Sequence, residues 1–249
     1  MIDSTQPTWQ PGVRQPIFNV PRVVIWLAGT LFVVHALRAF LLSDQGDAWV
    51  ISAFAFIPLR VSAPDSVQVL LPGGSAARVW SFVTYALLHG GWGHLLINGV
   101  WMAAFGSAVA WRFGTGRFLL LSAVGAVAGA AVHWLVYPQS FVPMVGASAA
   151  ISAHMAAASR FVFSTGGPMW GPGEIGRYRR PAPSLVEVIT DRRVFVFLAV
   201  WFAINLLFGL GGTGAGLASG AVAWDAHIGG FVAGLLLFPL FDPIGTDRR

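Results

Sequence analysis

The chain has 249 residues, 56% hydrophobic and only 10% charged, against roughly 25% charged in an ordinary soluble domain. That excludes a water-soluble globule, and the length suits one compact membrane domain of about six spans. All 15 basic residues are arginine and there is no cysteine, so disulfides, thiolate metal sites and cysteine nucleophiles are excluded.

Residues 1–20 are polar and carry prolines. They lack the basic start, short apolar core and small-residue cleavage site of a secretory signal, and are expected to form a cytoplasmic N-terminal segment. The membrane domain is expected over 21–242. Its first span, 23–42, is long enough to cross about 30 Å of hydrocarbon at about 1.5 Å per residue, and bears His35 and Arg38 near its far end, where an arginine can snorkel to the interface. Residues 43–92 are interrupted by Pro58, Pro64, Pro72 and Gly73-Gly74. The apolar pieces within them, 49–57 and 79–88, are too short to cross and are expected to lie in the interface or pack on the domain.

Further spans are expected over 94–111, 118–137, 148–163, 194–210 and 221–241, with a cytoplasmic tail over 243–249. Between the fourth and fifth, residues 164–193 are rich in Gly, Pro and Arg and read as a flexible linker whose arginines meet anionic headgroups. The fold class is therefore an all-α membrane protein, a bundle of six transmembrane helices. Positive residues are retained in the cytoplasm. With the N-terminus inside, 12 of the 15 arginines fall on the inner side, leaving only Arg38, Arg60 and Arg78 outside. Arginines placed beside spans reflect topology, and no nucleic-acid partner is expected.

In this topology Ser148, at the start of the fourth span, and His227, early in the sixth, lie at similar depth toward the outer leaflet. Polar groups inside a membrane are by default functional candidates. Ser148, Ser152, Ala156 and Ser159 form one small-residue stripe, and His227, Gly230 and Gly234 another, which gives the two helices a way to pack together. Gly125-x-x-x-Gly129 shows that such patterns also arise as ordinary packing. At the entry to the second span, His94 and Asn98 are four residues apart on one helix face. They can supply oxyanion donors alongside the Ser148 backbone N–H.

Other polar residues read as structural. Asp225 is two residues from His227, about 200° round a helix, and is left out of the reacting group. His154 lies off the Ser148 face, and His35 and His133 lack partners nearby in sequence. There is no H-E-x-x-H motif, so no metal or cofactor is expected, although His89, His94 and His227 together have the donor chemistry for one.

The chain resembles the rhomboid family of intramembrane serine proteases. The resemblance rests on His89-x4-His94-x3-Asn98, Gly146-x-Ser148 and Ala226-His227-x-Gly229-Gly230-x3-Gly234, in that order, and extends over 79–241. Trp80 and the apolar residues after it look like the family's membrane-embedded loop between spans one and two. The resemblance implies a Ser148–His227 dyad, with His94 and Asn98 at the oxyanion and His89, Gly146, Gly230 and Gly234 in structural roles. The implied substrates are single-span membrane proteins, cut in or near their transmembrane helices within the lipid bilayer of a bacterial inner membrane. Three positions depart from the family pattern: Ala149 where glycine usually follows the serine, Ser81 where arginine often follows the loop tryptophan, and Ser152 where some members have tyrosine. The Ala149 methyl is expected to narrow the site or slow the reaction. Two other classes are weighed against a protease: a catalytically silent rhomboid-like protein that binds membrane helices, and a small transporter. The polar cluster is confined to one side of the membrane, which disfavours a pore. The motifs specify neither an oligomeric state nor one particular substrate.

Overall fold

The computed structural model describes residues 20–68, 71–164, 178–210 and 223–244. Residues 1–19 of the N-terminal segment, 165–177 of the linker, the loop 211–220 and the tail from 245 lie outside the described residues.

The first helix, α1 (Arg22–Leu41), opens behind Pro21, whose ring presets the backbone at the entry. Its buried residues Val24, Leu31, His35 and Arg38 share one face, while Trp26, Phe32 and Phe40 are exposed. A helix with bulky apolar side chains turned outward is suited to lipid. Four short helices follow: α2 (Asp44–Phe54), α3 (Pro58–Ser62), α4 (Asp65–Gln68) and α5 (Ala77–Thr84). They are knit together by side chains reaching main-chain carbonyls. Buried Arg60 donates to Pro72 O at 2.9 Å and Ser52 O at 2.6 Å. The Trp80 indole donates to Ala53 O at 2.9 Å and stacks on Phe54.

Helix α6 (Trp92–Trp101) passes through a π-helical turn, Met102–Gly106, into α7 (Ser107–Val136). Gly114 breaks this run at φ 76°, ψ 170°, a conformation that favours glycine. The expected boundary between the second and third spans falls at this point. Among the described residues three helical stretches are long and apolar enough to cross a membrane: Arg22–Leu41, Trp92–Val136 and Trp224–Phe241. The last of these is α11. Among the described residues there is no sheet, only an isolated antiparallel bridge between Phe56 and Met144.

The centre of the molecule is α8 (Ser148–Ser159), in which every residue from Ala149 to Ser159 is buried. At 12 residues it is about 18 Å long, shorter than the hydrocarbon core and shorter than the expected span 148–163. Its alanine-rich surface lets α7 and α11 approach on either side. A Cβ added to Gly125 or Gly129 of α7 would strike Ala153 or Ala149, and one on Gly230 or Gly234 of α11 would overlap the carbonyl oxygen of Ala149 or Ala153. The α11 glycines thus abut the main chain of Ala149 and Ala153, whose methyls point at Gly129 and Gly125 of α7. The expected stripe of Ser148, Ser152, Ala156 and Ser159 lies one residue, about 100° of rotation, to the side. The physical reason is that the Ser148–Ser152 and Ala149–Ala153 stripes are equally small, so closest approach is set by the glycines opposite.

The described part of the linker, 178–193, is more ordered than expected. Helix α9 (Leu185–Thr190) starts at a reciprocal cap, in which Ser184 Oγ accepts from Glu187 N and the Glu187 carboxylate accepts from Ser184 N. Helix α10 (Arg192–Leu210) follows. One end of the molecule is closed by Arg112, which makes a two-pronged ion pair with Asp242 at 2.9 and 2.8 Å. It also donates to Tyr178 O and Arg180 O at 2.8 and 2.7 Å. Near the other end Arg38 grips Asp47 at 2.7 and 3.1 Å and donates to His89 O at 3.0 Å. Arg38 is buried and paired, whereas snorkelling had been expected; the carboxylate of α2 supplies what water would otherwise provide.

Candidate active site

Ser148 is the first residue of α8. The first backbone N–H groups of a helix have no partner within it and sit at the positive end of its dipole. The strand of chain leading to it is pinned on both sides. Met144 and Phe56 exchange backbone hydrogen bonds of 2.8 and 3.1 Å, and Gly146 N donates to Tyr85 O at 3.0 Å. Tyr85 is in turn held by its hydroxyl, which donates to Ala126 O at 2.9 Å. Gly146 adopts φ +125°, which a residue with a side chain rarely adopts.

His227, on the first turn of α11, places Nε2 2.7 Å from Ser148 Oγ. Two residues more than 70 positions apart in sequence thus meet within hydrogen-bond distance, as the packing of α8 on α11 dictates. His94, at the start of α6, lies on the other side. A Cβ on Gly146 would come within 2.7 Å of its ring atoms Cε1 and Nε2 and 3.7 Å of Ser148 Oγ. Only a glycine leaves room for that imidazole beside the serine. Ser148, His94 and His227 are each partly exposed.

Asn98 is buried one turn along α6, and its amide donates to His94 O at 3.1 Å. One of its two amide hydrogens is therefore held on its own helix, which also fixes the amide's plane. His89 is buried and packs edge-on against His94, ring centroids 5.1 Å apart. Among the described residues no group of three or more His, Asp or Glu side chains is placed to hold a metal ion.

The residues read as structural have partners elsewhere. Asp225 turns away from His227 and meets His133 Nδ1 at 2.7 Å. His154 Nε2 is 2.8 Å from Ser122 Oγ and stacks on Phe118. His35 packs edge-on against Trp92. The Ala149 side chain does not narrow the site, contrary to expectation. It points at Gly129, close enough that a Cβ there would lie 2.5 Å away, so its methyl fills the α7–α8 interface. Ser152 donates to Ser148 O at 2.8 Å and does not reach the histidine.

One residue of the site was not anticipated. Asn205, buried on α10, contacts His227 Nδ1 through its Oδ1. A single amide in an apolar run is the signal that marks it, because a polar group inside a membrane helix is a functional candidate by default.

The rhomboid domain model matches residues 76–242, a stretch containing Ser148, His227, His94, Asn98 and Asn205. The chain belongs to the rhomboid family. With its long apolar helices, that makes it an integral membrane protein. Among curated rhomboid relatives it is 26% identical to rhomboid protease GlpG of Pectobacterium atrosepticum over 192 residues, covering 76% of this chain and 59% of the relative. It is 31% identical to the putative rhomboid protease YdcA of Bacillus subtilis over 124 residues, 49% of this chain and 60% of the relative. The matches span about three fifths of each relative's length.

Proposed function

We propose that this rhomboid is an intramembrane serine endopeptidase that cleaves peptide bonds in or near the transmembrane segments of single-span membrane proteins. The observation that carries the reading is the 2.7 Å approach of His227 Nε2 to Ser148 Oγ, at a helix N-terminus within a rhomboid-family domain. The names of the two relatives, a rhomboid protease and a putative rhomboid protease, support the same reaction.

Ser148 Oγ attacks the carbonyl carbon of the substrate as His227 Nε2 takes its proton. Charge develops on the carbonyl oxygen, where the Ser148 backbone N–H, the His94 ring and the free amide hydrogen of Asn98 are the available donors. The tetrahedral species collapses, His227 gives its proton to the departing amine, and an ester to Ser148 remains. Water then attacks the ester with His227 again as base, which releases the new carboxyl terminus and restores the serine. No cofactor is needed for any step.

The topology proposed with this reaction has six spans, about 22–41, 92–113, 115–136, 148–159, 192–210 and 224–241, in one domain over 21–242. The short helices between the first two form a membrane-embedded loop. Both termini lie in the cytoplasm of a bacterial inner membrane. In support, Arg112, the carbonyls of Tyr178 and Arg180, and Asp242 meet at one end of the molecule, the end where the distribution of arginine puts the cytoplasm.

The test is cleavage of a panel of single-span proteins in proteoliposomes. The wild type is expected to cut a subset with small or helix-destabilising residues in the span, and Ser148→Ala to cut none. Identical product patterns from the two proteins would refute the assignment.

A further inference from the structure

Resting on that reading of Ser148 and His227, we infer that Asn205 is a positioning residue for the reaction, setting the tautomer and orientation of the His227 ring from a third helix. A sequence of forced hydrogen-bond assignments leads there. Asn205 is buried, and its side-chain amide lies between two groups. On one side, one end of the amide is 2.8 Å from Trp201 O. A carbonyl oxygen only accepts, so the atom facing it must be the NH2 group. The opposite end, facing His227 Nδ1, is therefore the carbonyl oxygen Oδ1. That too only accepts, so Nδ1 must carry the hydrogen of the neutral imidazole. Nε2 is left with its lone pair, 2.7 Å from Ser148 Oγ, and the serine hydroxyl donates to it. The main chain of α10 thus dictates, through one amide, which ring nitrogen is the base.

The opposite tautomer would point an N–H at the serine and leave no acceptor for its proton. In hydrolases of this chemical type a third group hydrogen-bonded to the second ring nitrogen performs that selection. Here the group is a neutral amide in place of a carboxylate. The nearest carboxylate in sequence, Asp225, is engaged with His133. Asn205 is also placed with some rigidity. It shares the buried face of α10 with Val194 and Trp201, while Phe195, Val200 and Leu207 on the rest of the helix are exposed. Trp201 stacks on Phe231 of α11, ring centroids 5.0 Å apart, which fixes α10 against the helix bearing His227.

The test uses the full-length protein in detergent micelles with two readouts. The first is the 15N signal of the His227 ring in histidine-labelled protein, assigned by its loss in His227→Gln. The wild type is expected to show the hydrogen on Nδ1. Asn205→Leu, similar in size, is expected to lose that preference. The second is the rate of Ser148 labelling by a fluorophosphonate. Asn205→Leu is expected to slow it about 10- to 100-fold, and Asn205→Asp, which keeps an acceptor on Nδ1, to label faster than Asn205→Leu. A wild-type ring with its hydrogen on Nε2, or equal labelling rates for wild type and Asn205→Leu, would overturn the inference. Absence of labelling in the wild type would instead refute the hydrolase reading, and the ring signal would still decide whether Asn205 sets the tautomer.

Discussion

His94 stands against Gly146 with its ring beside Ser148 Oγ, so truncating it removes the proposed oxyanion donor while keeping Ser148 and His227 themselves. His94→Ala is expected to lower kcat about 10²- to 10³-fold, the usual loss for one oxyanion donor, measured on a cleavable single-span substrate. A loss below about 3-fold would assign His94 to packing alone. Asp225 predicts the opposite pattern. Since its carboxylate is on His133, Asp225→Asn is expected to reduce thermal stability while leaving kcat within about 3-fold of wild type; a loss of activity like that of a triad aspartate, about 10⁴-fold, would contradict its placement. At this scale the approach of His227 to Ser148 is legible through the motifs that carry the family resemblance, and helical periodicity within one element puts His94 and Asn98 on one face. Asn205 belongs to none of those motifs, and only the packing of α10 on α11 brings it to His227.

The element that decides the geometry is α8, buried on all sides and narrow enough for α7 and α11 to close on it. In a membrane, where lipid is as apolar as a leucine side chain, close approach of small residues is a main source of helix association. A side chain at Gly234 would run into the Ala153 carbonyl, whereas one at Gly29 of α1 meets nothing within 4 Å. Both glycines lie inside helices, so intrinsic propensity is similar at the two sites and packing separates them. Gly234→Val is expected to cost about 1–3 kcal/mol or more through overpacking, and Gly29→Val well under about 1 kcal/mol. Thermal unfolding in micelles measures both, and equal shifts would refute the packing argument. The existence of an α8–α11 contact was readable from small residues at helical spacing. Its face was not, because Ser148 and Ala149 belong to adjacent stripes that are equally small, and backbone approach from the partner decides between them. The cap on α9 is legible too, as Ser184 followed three residues later by Glu187, in a segment whose Gly and Pro content otherwise reads as a linker.

For the whole molecule, hydropathy and arginine placement were enough to anticipate a helical membrane domain, since the bilayer restricts what can span it. They did not reveal the ties that close its ends. Arg112 and Asp242 are separated by 130 positions and both side chains are fully shielded from solvent, a pairing that exists only once the helices have assembled. Arg112→Met leaves Asp242 buried without its cation and is expected to cost about 3–5 kcal/mol, while Arg112→Met with Asp242→Leu recovers part of that loss. Equal unfolding temperatures for the single and double variants would contradict the pairing. The clamp holds the two ends of α7 and α11 in register, and the same two helices carry α8, Ser148 and His227 between them. The proposed dyad requires this assembly to turn Ser148 into a nucleophile. Mapping a fluorophosphonate adduct by mass spectrometry tests it most directly. The adduct is predicted on the Ser148 peptide of the wild type and absent from Ser148→Ala and His227→Ala. No adduct on the wild type, or one that persists in Ser148→Ala, would contradict it.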